Sequence, residues 1–312
     1  KILWAATAAV VALVGMFAAA NRIERSVEAL TYNDPVVYYQ QTAYQKVVLT
    51  DYQDDLRMYL NGQLQFSSLD EARYHETLSA SAMTSVKDPA HVLVLGGGDG
   101  LLAREILRYP SVKDVTIVDI DPGVTELARS NRLLKDLNKA SLSDPRVNVV
   151  NDDAFTYVRD SRATYDVVLV DLVDPSNEKL AKLYSTEFYR NVEARLAPEG
   201  VMVTQATSTF FSPHAFSTVA STVATSQPDR QILPFSTNIP SFGEWGFVLS
   251  TRTPQNLISQ PLPEGLTYQD RETLEFIMRT KPARTETMEP STLLHPRIVE
   301  VYNRDMRQWR YY

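Results

Sequence analysis

The sequence predicts an α/β protein: a mostly parallel, doubly wound, Rossmann-like sheet, preceded by a small antiparallel β unit and an N-terminal apolar helix. Three observations carry this. Between His91 and Thr204, short apolar runs alternate with helical patterns, as in strands whose two faces are covered by crossover helices. Two period-two runs before residue 68 end at Asn61-Gly62, and Asn-Gly after such a run is the strongest short-range hairpin signal. No charge occurs between Lys1 and Asn21, and about 20 apolar residues suffice to cross a bilayer core.

The N-terminal stretch from Ile2 to Ala20 reads as a transmembrane helix. Ala18-Ala19-Ala20 also suits the end of a signal peptide, but a helix apolar on every face is unusual on a soluble domain. Arg22 and Arg25 follow the span while Lys1 alone precedes it, which places the larger domain in the cytoplasm, anchored to an inner or plasma membrane. The number of spans upstream of residue 1 stays open. Residues 36–68 form the antiparallel β unit. Asp70 to Met83 reads as a helix with Asp70 as its cap.

From His91 the strands are 91–95, 115–118, 147–150, 165–170 and 200–204, with 231–235 and 245–250 as a final pair. Helices run from Leu101 to Tyr109 and from Pro122, and another ends at Ala197-Pro198. The tail is Pro-rich, then helical from about Arg297, and carries no legible chemistry. The implied domains are 1–21 (transmembrane), 22–84 (linker and β unit), 85–252 (Rossmann-like) and 253–312 (C-terminal extension). A net charge of -7 without a Lys/Arg cluster excludes a nucleic-acid partner, and suits a cationic small molecule. Cysteine is absent, which removes disulfides and thiolate metal sites.

In a doubly wound sheet, ligands bind beyond the carboxyl ends of the strands. The first strand is followed by Gly96-Gly97-Gly98-Asp99-Gly100, where glycines let the backbone approach a ligand. Leu101 stands where the dinucleotide fingerprint has its third glycine. The second strand ends in Asp119-Ile120-Asp121, with an acid placed to accept ribose hydroxyls. The third is followed by Asp152-Asp153-Ala154, with a carboxylate suited to an adenine amino group. Each acid also suits an ordinary helix N-cap. Three in succession favour an adenosine pocket, for S-adenosyl compounds at least as well as for NAD.

The fourth strand ends in Asp171-Leu172-Val173-Asp174-Pro175. Neighbouring carboxylates repel, and a cation between them relieves the cost. The candidates are a metal ion or an alkylammonium group, and no nearby His or further acid completes a metal shell.

The ordered set Tyr44-Gln45, Leu60 to Gln65, Asp70 to Glu76, Gly96 to Gly100, Val118 to Asp121, Asp153-Ala154 and Asp171 to Pro175 resembles the spermidine synthases, over residues 36–250. The resemblance implies an S-adenosylmethionine-dependent type of transferase sheet and an aminopropyltransferase that uses decarboxylated S-adenosylmethionine as co-substrate, with no metal or permanent cofactor. Asp171, Asp174 and Tyr74 would be catalytic. Gln45, Gln65, His75, Gly96, Gly98, Asp99, Asp119, Asp153 and Ala154 would bind the donor, with Gln45 and Asp99 at its tail, Asp119 at the ribose and Asp153 at the adenine. Tyr74 and Asp174 would meet the amine, putrescine or a related polyamine. A homo-oligomer is implied as well.

Three departures stand out. The family's usual Glu is Asp119 here, the Gly-rich loop after Pro175 reads Ser176-Asn177-Glu178-Lys179, and the Tyr before the last strand is missing. Glu244 and Trp245 are the candidates to replace that Tyr, as an acceptor for the distal ammonium and a cation–π face. The competing functions are a methyltransferase and a catalytically silent polyamine sensor.

Overall fold

The structure, a computed structural model, describes residues 4, 9–10, 12–16, 31–254 and 257–309. The chain divides into two compact units, Lys1–Ser68 and Leu69–Tyr312. The sequence reading draws this boundary at residue 84, so the helix from residue 71 groups with the larger unit. The expected membrane span falls mostly outside the described residues. Among the described residues, no helix is long and apolar enough to cross a membrane. The membrane anchor, and the location drawn from it, are corrected accordingly.

The first unit is a four-stranded antiparallel sheet in the order β1 (Val36–Gln41), β2 (Lys46–Tyr52), β3 (Asp55–Leu60) and β4 (Gln63–Ser67). Asn61 and Gly62 join β3 to β4 with φ of 51° and 80°, the left-handed pair that a tight hairpin matched to strand twist requires. Gln53 and Asp54 join β2 to β3 in the same way, with φ of 51° and 66°. That second hairpin carries no Asn-Gly to announce it.

The larger unit holds a seven-stranded sheet. Its strands are β5 (His91–Gly96), β6 (Asp114–Val118), β7 (Val147–Val150), β8 (Tyr165–Asp171), β9 (Leu196–Ser208), β10 (Gln231–Ile239) and β11 (Gly243–Thr251). Their spatial order is β10-β11-β9-β8-β5-β6-β7, parallel from β9 to β7 and antiparallel at β10 and β11. Val92 to Leu95 and Val167 to Leu169 are fully buried, as continuous apolar runs covered on both faces must be. Burying each such side chain contributes about 1.5–3 kcal/mol.

On one face lie α1 (Glu71–Met83) and α2 (Leu101–Ile106), followed in the chain by α3 (Pro122–Ser130) and α4 (Arg132–Leu137). The other face packs α5 (Ala154–Asp160), α6 (Glu178–Ala181), α7 (Thr186–Glu193), α8 (Pro213–Ser226) and, after α9 (Arg271–Arg279), α10 (Arg297–Arg307). Phe188, Phe216, Ile298 and Tyr302 fill the core between these helices and β8. α2 is shorter than expected and ends in turns before Pro110.

Asp70 occupies the N-cap position of α1 but makes no capping bond. Its carboxylate reaches instead to the backbone N–H and hydroxyl of Ser241, at 2.6 and 2.8 Å. Within α1, the Glu76 carboxylate is 1% exposed and accepts the backbone N–H groups of Thr267, Tyr268 and Gln269 at 2.7, 2.8 and 2.9 Å. Removing it orphans three backbone donors at once, that of Gln269 buried. Glu76→Ala is expected to lower the free energy of unfolding by about 3–5 kcal/mol, read from the urea midpoint, and Glu76→Gln by less because one acceptor remains.

Candidate active site

The site is built where β5 and β8 lie side by side. Gly96 pairs with Asp171 in this parallel register. From β5 the chain continues on one side to β6 and β7, while β8 and β9 lie on the other, which is the topological switch point that opens a crevice in such sheets. Gly96 has φ of +89°, and a Cβ there would stand 2.0 Å from the carbonyl oxygen of Asp171. Only glycine permits that approach.

The turn then leads to Asp119. A Cβ on Gly98 would lie 2.4 Å from the Asp119 carboxylate, whose Oδ2 accepts the Gly98 N–H at 3.0 Å and whose Oδ1 accepts the Asp121 N–H at 2.8 Å. Burial pushes the Asp119 pKa up to about 6, against the two backbone bonds and with the like charges of Asp121 and Asp99. Asp121 is a plain N-cap, accepting from Gly123 at 2.9 Å. Asp99 accepts the Leu101 N–H at 2.9 Å, and burial raises its pKa while His75 opposes the rise.

Asp153 is both cap and ion pair. Its Oδ1 accepts the Thr156 N–H at 3.0 Å at the start of α5, beside Ala154, and its Oδ2 meets Lys182 Nζ at 2.5 Å. Desolvation would raise its pKa, but Lys182 outweighs it and holds the carboxyl below its ordinary range.

On α1, Tyr74 donates to Asp171 Oδ1 at 2.6 Å. Its ring lies against Phe247 and Trp245, with centroids 5.4 and 6.5 Å apart. His75 is buried, with Nδ1 2.8 Å from Glu71 Oε2, and Arg104 reaches the same oxygen at 2.8 Å. Burial disfavours the imidazolium, but the carboxylates of Glu71, Asp99 and Asp171 bring its pKa up to about 8. His75 therefore supplies an internal positive charge behind Asp99 and Asp171.

Asp171 and Asp174 are both pushed up to about 6, in each case first by burial. For Asp171, His75 and the Tyr74 hydrogen bond oppose the rise and Asp99 adds to it. Asp174 Oδ2 accepts from Tyr302 at 2.9 Å, while its Oδ1 is buried and has no partner among the described residues. Between the two acids, Tyr184 donates to the Val173 carbonyl at 2.8 Å and Gln205 to the Leu172 carbonyl at 2.5 Å. Among the described residues, no cluster of three or more acids or histidines is arranged to hold a metal ion.

Glu244 and Trp245 are successive residues of β11 and so face opposite sides of the sheet. Trp245 joins Tyr74, and its indole N–H is buried with no partner among the described residues. Glu244 accepts from Ser236 at 2.6 Å, on the side where a Cβ at Gly246 would meet Phe216 of α8. Glu244 and Trp245, both expected to meet the amine, thus lie on opposite faces of the sheet. Gln45 precedes β2 and Gln65 lies in β4, both in the first unit; Gln65 donates to the Gln63 carbonyl at 3.0 Å. The sequence reading missed the supporting roles of Glu71, Arg104, Lys182, Tyr184, Gln205 and Tyr302. The spacing of Glu71 and His75 on α1 was a usable signal.

A family model described as the spermine/spermidine synthase domain matches residues 71–260. The polyamine aminopropyltransferase of Oceanobacillus iheyensis is 41% identical over 282 residues, covering 89% of this chain and 55% of that protein. Polyamine aminopropyltransferase 1 of Streptomyces coelicolor is 41% identical over 320 residues, covering 99% and 59%. The chain thus spans about half the length of the curated relatives it matches. Among solved structures, a spermidine synthase in complex with the transition state analogue AdoDATO superposes with a TM-score of 0.73 at 25% identity, over 78% of this chain and 85% of that one. The spermidine synthase of Thermotoga maritima gives 0.71 at 25%, over 78% and 84%.

Asp174 has a definite consequence for stability. Its carboxyl is raised from 3.8 to about 6 on folding, so between those values the unfolded chain has released a proton that the folded chain keeps. The free energy of unfolding therefore falls as pH rises through this window, and the penalty is complete above about 6. Asp174→Asn is expected to raise Tm at pH 8 and to leave it nearly unchanged at pH 4, measured by calorimetry.

Proposed function

Because the chain belongs to the spermine/spermidine synthase family, we propose that it transfers an aminopropyl group from decarboxylated S-adenosylmethionine to a primary amine, putrescine or a related polyamine, releasing methylthioadenosine. The observation that carries this is the Asp171–Asp174 pair at the end of β8, with Tyr74 on Asp171 and the glycine turn against its carbonyl. The relatives' names favour aminopropyl transfer over a methyltransferase or a silent sensor. The donor is the co-substrate, and no permanent cofactor enters the proposal. A homo-oligomer completes it, to be read by light scattering.

In the proposed assignment, Asp119 and the backbone of Gly96 and Gly98 hold the ribose side of the donor. Asp153 and Ala154 flank the adenine, and Asp99 faces the tail with His75 behind it. Gln45 and Gln65, in the other unit, are donor candidates by the resemblance alone. An acid-lined pocket suits the donor's positive sulfonium and ammonium groups. A sulfonium carbon is already activated: the amine nitrogen attacks it, the C–S bond breaks, and its electron pair leaves with sulfur as a neutral thioether.

What remains for the protein is to align the amine and take its proton. An alkylammonium of pKa about 10 is almost wholly protonated at neutral pH, so a general base is required. Asp171 fits the role. Tyr74 occupies Oδ1, while Oδ2 sits 3.4 Å from where a Cβ of Gly97 would be, on the side of the glycine turn. A pKa of about 6 leaves the carboxylate ionised at pH 7.5 yet more basic than an ordinary Asp. Asp174 and Tyr74 orient the amine, and the Trp245 face lies beside Tyr74. Alignment supplies much of the remaining acceleration.

Mass spectrometry of products from purified protein, given the donor and a panel of amines, tests the reaction. Methylthioadenosine with an aminopropylated amine is expected, and adenosylhomocysteine formed from S-adenosylmethionine would overturn the reading. Asp171→Asn is expected to lower kcat by about 100-fold or more while leaving donor affinity within a factor of about two. In the parent protein, kcat/KM should fall as pH drops below about 6, where Asp171 takes up a proton.

A further inference from the structure

The helix α10 lies outside the family-matched segment, which ends at residue 260, yet it touches the site directly. Tyr302 is 5% exposed, and its hydroxyl donates to Asp174 Oδ2 at 2.9 Å. The next residue, Asn303, donates to the Ser176 carbonyl at 3.3 Å, so two successive side chains hold the loop that carries Asp174. Asp305, 2% exposed, fixes the helix itself. Its carboxylate accepts the backbone N–H groups of His214 and Ala215 at 2.9 and 3.1 Å and lies 2.8 Å from His214 Nδ1. These bonds seat α10 on the start of α8, and α8 packs on β9 and β11.

Asp174 is then an asymmetric carboxylate. One oxygen is committed to Tyr302, and the other is buried with no donor among the described residues. Among the described residues, no Lys, Arg or His pairs with it. A buried acceptor left unpaired is costly, and an ammonium group would remove that cost. Resting on the proposed aminopropyl transfer, we infer that Tyr302 is a positioning residue for the amine: by holding one Asp174 oxygen it presents the other to the substrate's ammonium, so the C-terminal helix sets acceptor affinity.

The bond also favours the ionised carboxylate that such a contact needs. The titratable groups facing Asp174 are Tyr74 from α1, Tyr184 from the turn before α7 and Tyr302 from α10. Of these, Tyr302 donates to it. The Tyr184 hydroxyl is spent on the Val173 carbonyl and that of Tyr74 on Asp171.

The test is Tyr302→Phe, which keeps the ring and its packing. Its KM for the amine should rise about tenfold, with kcat within about threefold and donor KM unchanged. The acid limb of kcat/KM for the amine should move to higher pH, because Asp174 loses a bond that favours its charge. In an Asp174→Asn background, Tyr302→Phe should cost less than about twofold more, since the residue acts through that carboxyl. A lowered Tm with unchanged amine KM and pH profile would overturn the inference, as would full additivity in the double variant. Calorimetric titration of the amine in the presence of methylthioadenosine separates the two readings. A parent that binds amine without turning over would sink the proposed activity and leave the tyrosine's tenfold effect readable, whereas a parent that binds no amine would sink both.

Discussion

Everything at the site depends on how closely β5 and β8 run together at their carboxyl ends. The Gly96 backbone lies against the Asp171 carbonyl, nearer than any side chain would allow. This contact sets where the glycine turn begins, and hence where Gly98 meets Asp119 and where Asp99 faces His75. It also turns Asp171 out of the sheet at the level of that turn. The fully buried apolar side chains of β8 make the register costly to shift, so a purely apolar core supports a cluster of charges at its edge.

That cluster is held together chiefly against the cost of burial, with repulsion added among Asp99, Asp119 and Asp171. Asp99, Asp119, Asp171 and Asp174 all have raised pKa values, in each case first because of burial. His75 is kept protonated by Glu71, and Arg104 both steadies Glu71 and opposes the rise at Asp99. The protein therefore neutralises only part of the charge it gathers. A sulfonium and an ammonium entering together would meet a site already arranged for positive charge, with little reorganisation left to do.

Most of this was legible in the sequence because the chemistry sits at strand ends, and strand ends follow from apolar runs. The glycine turn, Asp119, Asp153 and the Asp171–Asp174 pair could each be placed from the run that precedes them. Side chains that come from elsewhere were not legible. Tyr302 reaches Asp174 across 128 positions, and nothing in the local pattern of α10 marks it. Glu244 and Trp245 could not be told apart as neighbours in the sequence, since a strand alternates its faces and only Trp245 lies beside Tyr74. The Gln53-Asp54 hairpin was missed because its left-handed backbone is imposed by the flanking strands rather than announced by a glycine. Asp70 had the right identity for a cap, but Ser241 offers it two donors.

The contact between Gly98 and Asp119 bears on how such a chain can diverge. The family's usual Glu at this position carries one more methylene, and the carboxylate already stands where a Cβ of Gly98 would be. A side chain at Gly98 would therefore displace the acid from its place beside the turn. Across related sequences position 98 should therefore stay glycine, because any Cβ there takes the space that the carboxylate occupies.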